Sequence, residues 1–107
     1  MPMITVKFDD KEVSDEKITQ LSSALQKIVS EATSIKEVFV YADSPRIKID
    51  VAPIEVFIEM SATKVEDREG LFNDIRDRLA DWKQANDFEY PITITLTPVD
   101  WKFEVGI

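Results

Sequence analysis

The sequence predicts an α+β fold: two tandem βαββ units forming a four-stranded mixed sheet with two helices on one face. Three observations carry this. Short segments alternate apolar and polar residues, and they flank two longer stretches whose apolar residues recur at helical spacing. The second half of the chain repeats the pattern of the first at a constant offset. The chain has 107 residues, is 44% hydrophobic and 32% charged and contains two glycines, which suits one packed domain and not a disordered one.

The first strand covers residues 2–8, where Ile4, Val6 and Phe8 alternate with Thr5 and Lys7. A polar loop, Asp9-Asp10-Lys11-Glu12, follows. Ser14 reads as a helix N-cap, with Asp15 and Glu16 in the first turn where the helix dipole favours them. Val13 and Ile18 have the spacing of a hydrophobic staple. Ile18, Leu21, Leu25, Ile28 and Val29 then form one apolar stripe, and the helix ends near Ala32-Thr33-Ser34. A second strand is expected over residues 37–42, a turn at Asp43-Ser44-Pro45, a short alternating strand over 46–51 and a further strand over 53–60. A second helix is expected over 64–84, with Thr63 and Glu66 at capping-box spacing and a stripe of Leu71, Phe72, Ile75, Leu79 and Trp82. Gly70 sits inside that helix and weakens the stretch. Residues 92–96 read as a strand, Thr97-Pro98 as a turn and 101–105 as a last alternating strand.

The repeat ties these elements together. Adding 54 carries Ile18, Leu21, Leu25 and Ile28 onto Phe72, Ile75, Leu79 and Trp82, and Val38 and Val40 onto Ile92 and Ile94. The same offset carries the 46–51 strand onto 100–105. For the first strands an offset of 52 preserves parity, pairing Ile4, Val6 and Phe8 with Val56, Ile58 and Met60. The chain is thus one domain of two pseudo-repeats, about 2–52 and 53–107. Ile4, Val6, Val38, Val40, Val56, Ile58, Ile92 and Ile94 are expected under the helices. Thr5, Lys7, Phe39, Tyr41, Glu55, Phe57, Thr93 and Thr95 then form the opposite face, whose aromatics suit a partner chain. The short strands at 46–51 and 101–105 suit pairing with a neighbour's sheet edge.

Composition narrows the chemistry. A net charge of -8 disfavours nucleic-acid binding. Without cysteine or histidine there is no thiol catalysis, no disulfide and no site built on the commonest zinc ligands. No metal or cofactor is implied. No apolar run approaches the roughly 18 residues of a membrane span, and no signal-peptide pattern opens the chain, so a cytoplasmic location is expected. Acid–base chemistry must come from carboxylates, Lys, Tyr or an N-terminal amine. Pro2 is the candidate catalytic residue. If Met1 is removed, it presents a secondary amine at the head of a strand; α-amino groups titrate at about 7.7–8.0, burial lowers that value, and an amine near neutrality serves as a general base. The plainer reading is that Pro2 starts an edge strand, where its missing N–H costs nothing.

An N-terminal proline before a duplicated βαββ unit is the plan of the tautomerase superfamily. Pro2-Met3-Ile4-Thr5-Val6 resembles the opening of its macrophage migration inhibitory factor branch. Ser14-Asp15-Glu16-Lys17, leading into an amphipathic helix, resembles the oxalocrotonate tautomerase branch. Ala52-Pro53-Ile54-Glu55-Val56 and Leu96-Thr97-Pro98-Val99 resemble an uncharacterised bacterial tautomerase-like family of similar length. The resemblance spans the whole chain. It implies a homotrimer, Pro2 at a subunit interface as proton shuttle, and enol–keto tautomerisation of a small keto acid. It also marks substrate-binding positions: Lys11 as the cation nearest the arginine that precedes the first helix, with Val13 in the spot itself; Phe39 in place of a second-strand arginine; Thr93 and Thr95 in place of a tyrosine and an asparagine. Those replacements keep a second reading open, a tautomerase-fold protein without turnover that binds a small molecule or a protein. A third is a ferredoxin-like βαββαβ domain dimerising through its open face. Lys48, Lys102, Arg46, the acidic pairs Asp9-Asp10 and Glu66-Asp67, and Trp82 and Trp101 are read as structural or solvated in preference to functional.

Overall fold

The computed structural model describes Met1–Ile107. Alternation in β1 (Met3–Phe8) sends Ile4, Val6 and Phe8 into the core and leaves Met3, Thr5 and Lys7 half-buried on the other face. Val13 and Ile18 are both buried around Ser14, whose hydroxyl accepts the Lys17 N–H at 3.3 Å, so staple and cap together start α1 (Asp15–Thr33). The helix stops at Ser34, a left-handed cap with φ 59°.

The chain continues through β2 (Phe39–Asp43), β3 (Ile54–Ser61), a one-turn 3-10 helix at Ala62–Lys64, α2 (Arg68–Ala85) and β4 (Thr93–Val99). The sheet order is β2-β1-β3-β4. β1 runs parallel to β2 and antiparallel to β3, and β3 runs parallel to β4. Each parallel pair is linked by a helix, as a crossover requires. The register places corresponding residues of the two halves opposite one another. Ile4 faces Val40 across β1 and β2, and their counterparts Val56 and Ile94 face each other across β3 and β4. Thr5 faces its own counterpart, Phe57, so the pseudo-twofold relating the halves passes through that pair. The core packs Ile4, Val6, Ile54, Val56 and Ile58 against Leu21, Leu25 and Val29 of α1 and Ile75 and Leu79 of α2. No helix is long and apolar enough to cross a membrane.

Four expectations need correction. Residues 46–51 and 101–105 alternate but form no strand, because no segment of this chain lies beside them to complete a ladder. Thr97-Pro98 is not a turn: both residues belong to β4, and an edge strand tolerates the missing proline N–H. Thr63 is not the cap of the second helix, since it lies in the 3-10 turn; Asp67 caps α2 by accepting the Gly70 N–H at 3.0 Å. Gly70 is therefore a first-turn residue. A Cβ there would overlap Asp67 Oδ2 and lie 2.8 Å from its Cγ, so glycine makes room for the cap. Residues 37 and 38 precede β2, which begins at Phe39.

Candidate functional site

Pro2 stands at the head of β1, one of the two central strands. The parity that buries Ile4, Val6 and Phe8 also turns Pro2 toward the helices, and its side chain is less than 2% exposed. Its carbonyl accepts the Phe39 N–H at 3.2 Å, which joins the first residues of the two parallel strands. With Met1 attached, the Pro2 nitrogen is an amide and carries no basic lone pair. Beside Pro2 on the open face, one row of the sheet runs Phe39, Met3, Glu59, Thr97. Phe39 is 40% exposed in that row.

At this same end of the sheet the C-terminal tail is tied down. The Trp101 indole N–H donates to Ser61 Oγ at 2.7 Å, and Phe103 meets Trp101 edge-on with ring centroids 5.9 Å apart. Sequence reasoning places Trp101 in a core or an interface but does not find Ser61, a lone serine at a strand end with no signal of its own.

The other substrate positions lie apart from Pro2 within one chain. Thr95 is in the row of Thr5 and Phe57, and Thr93 in the row of Glu55 and Lys7. Both are exposed on β4, two strands from β1, or about 10 Å sideways at the usual strand spacing. Lys11 lies beyond the far end of β1, roughly 20 Å from Pro2 at the rise of an extended chain. There it shares an open cavity of about 540 Å³ with Asp9, Arg46, Lys48 and Asp50. The structure thus joins Pro2 and Phe39 through their backbones, with the Pro2 ring on the helix face and Phe39 on the open face, and keeps Lys11, Thr93 and Thr95 separate from them in the single chain.

The remaining charged candidates have local partners. Lys48 Nζ is 2.8 Å from Asp10 Oδ1 and 3.9 Å from Asp9 Oδ1. The hydrogen bond from Lys48 holds the Asp10 carboxyl below its ordinary value of 3.8. Asp67 is occupied as the α2 cap, and Arg78 bridges Asp74 at 2.8 Å and Glu31 at 3.4 Å, linking the two helices. Those two carboxylates, Asp74 foremost, hold the Arg78 guanidinium above its ordinary value. On the open face, Lys7 is paired with Asp43 at 2.9 Å.

No family model matches this sequence. No curated protein matches it either. Solved structures do resemble it in three dimensions. Malonate semialdehyde decarboxylase, for which decarboxylase and hydratase activities are described, superposes with a TM-score of 0.71 at 10% identity, over 98% of this chain and 92% of that one. A fused 4-OT forming a symmetric trimer gives a TM-score of 0.70 at 13% identity, over 98% and 94%. A domain of unknown function (DUF1904) from Sebaldella termitidis gives 0.69 at 13% identity, over 100% and 98%. The β2-β1-β3-β4 sheet with its paired crossover helices is the fold this chain shares with those structures.

Proposed function

We propose that this protein is a tautomerase whose general base is the Pro2 amine, exposed by removal of Met1, and that it converts the enol of a small keto acid to its keto form. The observation that carries the reading is the position of Pro2: buried at the head of a central strand of this fold, with its carbonyl fixed by the Phe39 N–H. The amine takes the enol hydroxyl proton and a proton returns from it to the neighbouring carbon, so the base is regenerated and no proton is consumed overall. Burial favours the neutral, proton-accepting form of such an amine. Lys11, Phe39, Thr93 and Thr95 would contact substrate in an assembly, proposed as a homotrimer, in which neighbouring chains bring together what one chain holds apart. A fused 4-OT of the same fold is a symmetric trimer.

One observation favours a second reading. Phe39, next to Pro2, offers no charge for a carboxylate, and Glu59 in the same row opposes one. A tautomerase fold without turnover, binding an uncharged molecule or a protein, is consistent with that. Intact mass of untagged protein and a ketonisation assay with phenylenolpyruvate and 2-hydroxymuconate separate the two. Loss of Met1 with turnover that Pro2→Ala abolishes supports the base. A free Pro2 amine with no turnover of either substrate overturns it.

A further inference from the structure

We infer that a cavity on the open face of the sheet, beside the end of the arm at 46–51, binds a small organic ammonium compound, with Glu55 pairing the charge and Phe57 covering the body. The cavity has a volume of about 340 Å³. Its walls have two origins. Lys7 belongs to β1, and Glu55 and Phe57 to β3; Pro45, Val51 and Ala52 belong to the connection between β2 and β3. Apolar walls with one or two placed polar groups, at this size, suit a small molecule.

The charges in the cavity select the ligand. Lys7 and Glu55 stand directly opposite each other across β1 and β3, where opposite charges ordinarily pair. Here they do not. Lys7 turns the other way, across β1 and β2, and its Nζ lies 2.9 Å from each Asp43 carboxylate oxygen. Glu55 is left half-buried, with no hydrogen bond or ion pair from its own side chain to any other group of the chain. An ionised carboxylate only accepts hydrogen bonds, and an ammonium answers it with charge and donors together. Phe57 lies two residues along the same face of β3, where its ring can cover the apolar body or face the cation.

Charge complementarity favours a cation over an acid. Asp43 compensates Lys7, so Glu55 is the one uncompensated charge lining the cavity. The chain carries a net charge of -8, and such a field draws cations and repels anions. The keto acid proposed for Pro2 is an anion, and Pro2 lies at the opposite end of β1, roughly 17 Å away along the strand. The ammonium site therefore differs from the Pro2 end in place and in charge preference, and it does not rest on the Pro2 reading.

Titration of the full chain with phenethylammonium, followed by amide NMR, tests this without reading turnover. Shifts should centre on Lys7, Val51, Ala52, Glu55 and Phe57, with a Kd on the order of 1 mM for so small a ligand. 2-Phenylethanol, the same body without the charge, should bind about tenfold more weakly, and 3-phenylpropanoate more weakly still. Glu55→Gln should weaken phenethylammonium about tenfold and Phe57→Leu about threefold, both with the near-UV signature of the folded chain. Lys7→Met removes the neighbouring positive charge and frees Asp43, and should tighten binding. The Glu55→Gln effect should shrink in about 1 M salt, where surface charges are screened. Equal affinity for the ammonium and the alcohol, a Glu55→Gln variant that binds like wild type, or shifts scattered over the acidic surface overturns the site. An affinity that falls as the protein is concentrated shows a second copy filling the cavity and overturns the small-molecule occupant.

Discussion

Gly70→Ala should fail to stabilise this protein, and the reason lies in one side chain. In a helix interior, replacing glycine by alanine is worth about 0.8–1.0 kcal/mol. At residue 70 the new methyl would occupy the space of the Asp67 carboxylate, overlapping Oδ2 and lying 2.8 Å from Cγ. The carboxylate is exposed and free to rotate away, so the backbone need not move. Rotation, however, breaks its 3.0 Å hydrogen bond to the residue 70 N–H, and losing an Asp N-cap costs about 1 kcal/mol. The two terms cancel, and Gly70→Ala should change stability by less than about 0.5 kcal/mol. Asp67→Ala alone should cost about 1 kcal/mol. In the Asp67→Ala background the clash is absent and Gly70→Ala should recover its full gain, about 1 kcal/mol. Urea unfolding of the four proteins with a shared m-value gives the coupling directly. It should be about 1 kcal/mol, or about 4–8 °C in Tm for a domain of this size. A cycle that closes within about 0.3 kcal/mol, with Gly70→Ala stabilising in both backgrounds, would refute the account.

Three further outcomes follow from burial and charge. Ile58 is 1% exposed under the helices, so Ile58→Ala should cost about 2–5 kcal/mol; its neighbour Phe57 faces the open side, and Phe57→Ala should cost less than about 1 kcal/mol at low protein concentration while reducing the concentration dependence of Tm. Ser22 Oγ is buried with no partner, so Ser22→Ala should raise stability by about 1 kcal/mol or more, measurable as a higher urea midpoint. Asp10 is held below its ordinary 3.8 by Lys48, so its contribution is present above that pH and is lost as pH falls through the lower folded value; the stability difference between wild type and Asp10→Asn should therefore close as the pH is taken below 3.8, and a difference that stays constant would remove the ion pair from the account.

What was legible in the sequence was whatever the chain buries within itself. The stripes of both helices and the alternation of β1 and β3 were visible because their apolar residues meet each other, and the 52 and 54 offsets carried through to the register. The arm at 46–51 alternates just as cleanly, yet alternation reports only that one face prefers an apolar neighbour. It does not report whether that neighbour is in the same chain. The start of α2 was misplaced for a local reason: Thr63 with Glu66 and Asp67 with Gly70 both have capping spacing, and only the 3-10 turn that absorbs Thr63 decides between them. Pro98 reads as a turn until its strand is known to lie at an edge. Of the candidate site, the head of β1 was legible. The separation of Lys11, Thr93 and Thr95 from it was not, because sequence spacing carries no distance across a sheet.

The repeat supplies its own control for the role of Pro2. Under the offset of 52, the counterpart of Pro2 is Ile54, and it too is fully buried at the head of a central strand. Packing in both halves therefore requires an apolar residue at this place, and burial alone does not distinguish a base from a core plug. The residue type does. Ile54 shows that isoleucine fills such a place, and its nitrogen is an internal amide with no acid–base use. Pro2→Ile adds volume at a fully buried place and should therefore lower stability by the overpacking cost of about 1–3 kcal/mol while leaving the chain folded. If Pro2 is the base, the same variant should lose turnover while keeping its fold and assembly. A Pro2→Ile protein with unchanged turnover would show that the proline is present for packing alone, and the chemistry would have to be sought elsewhere on the molecule.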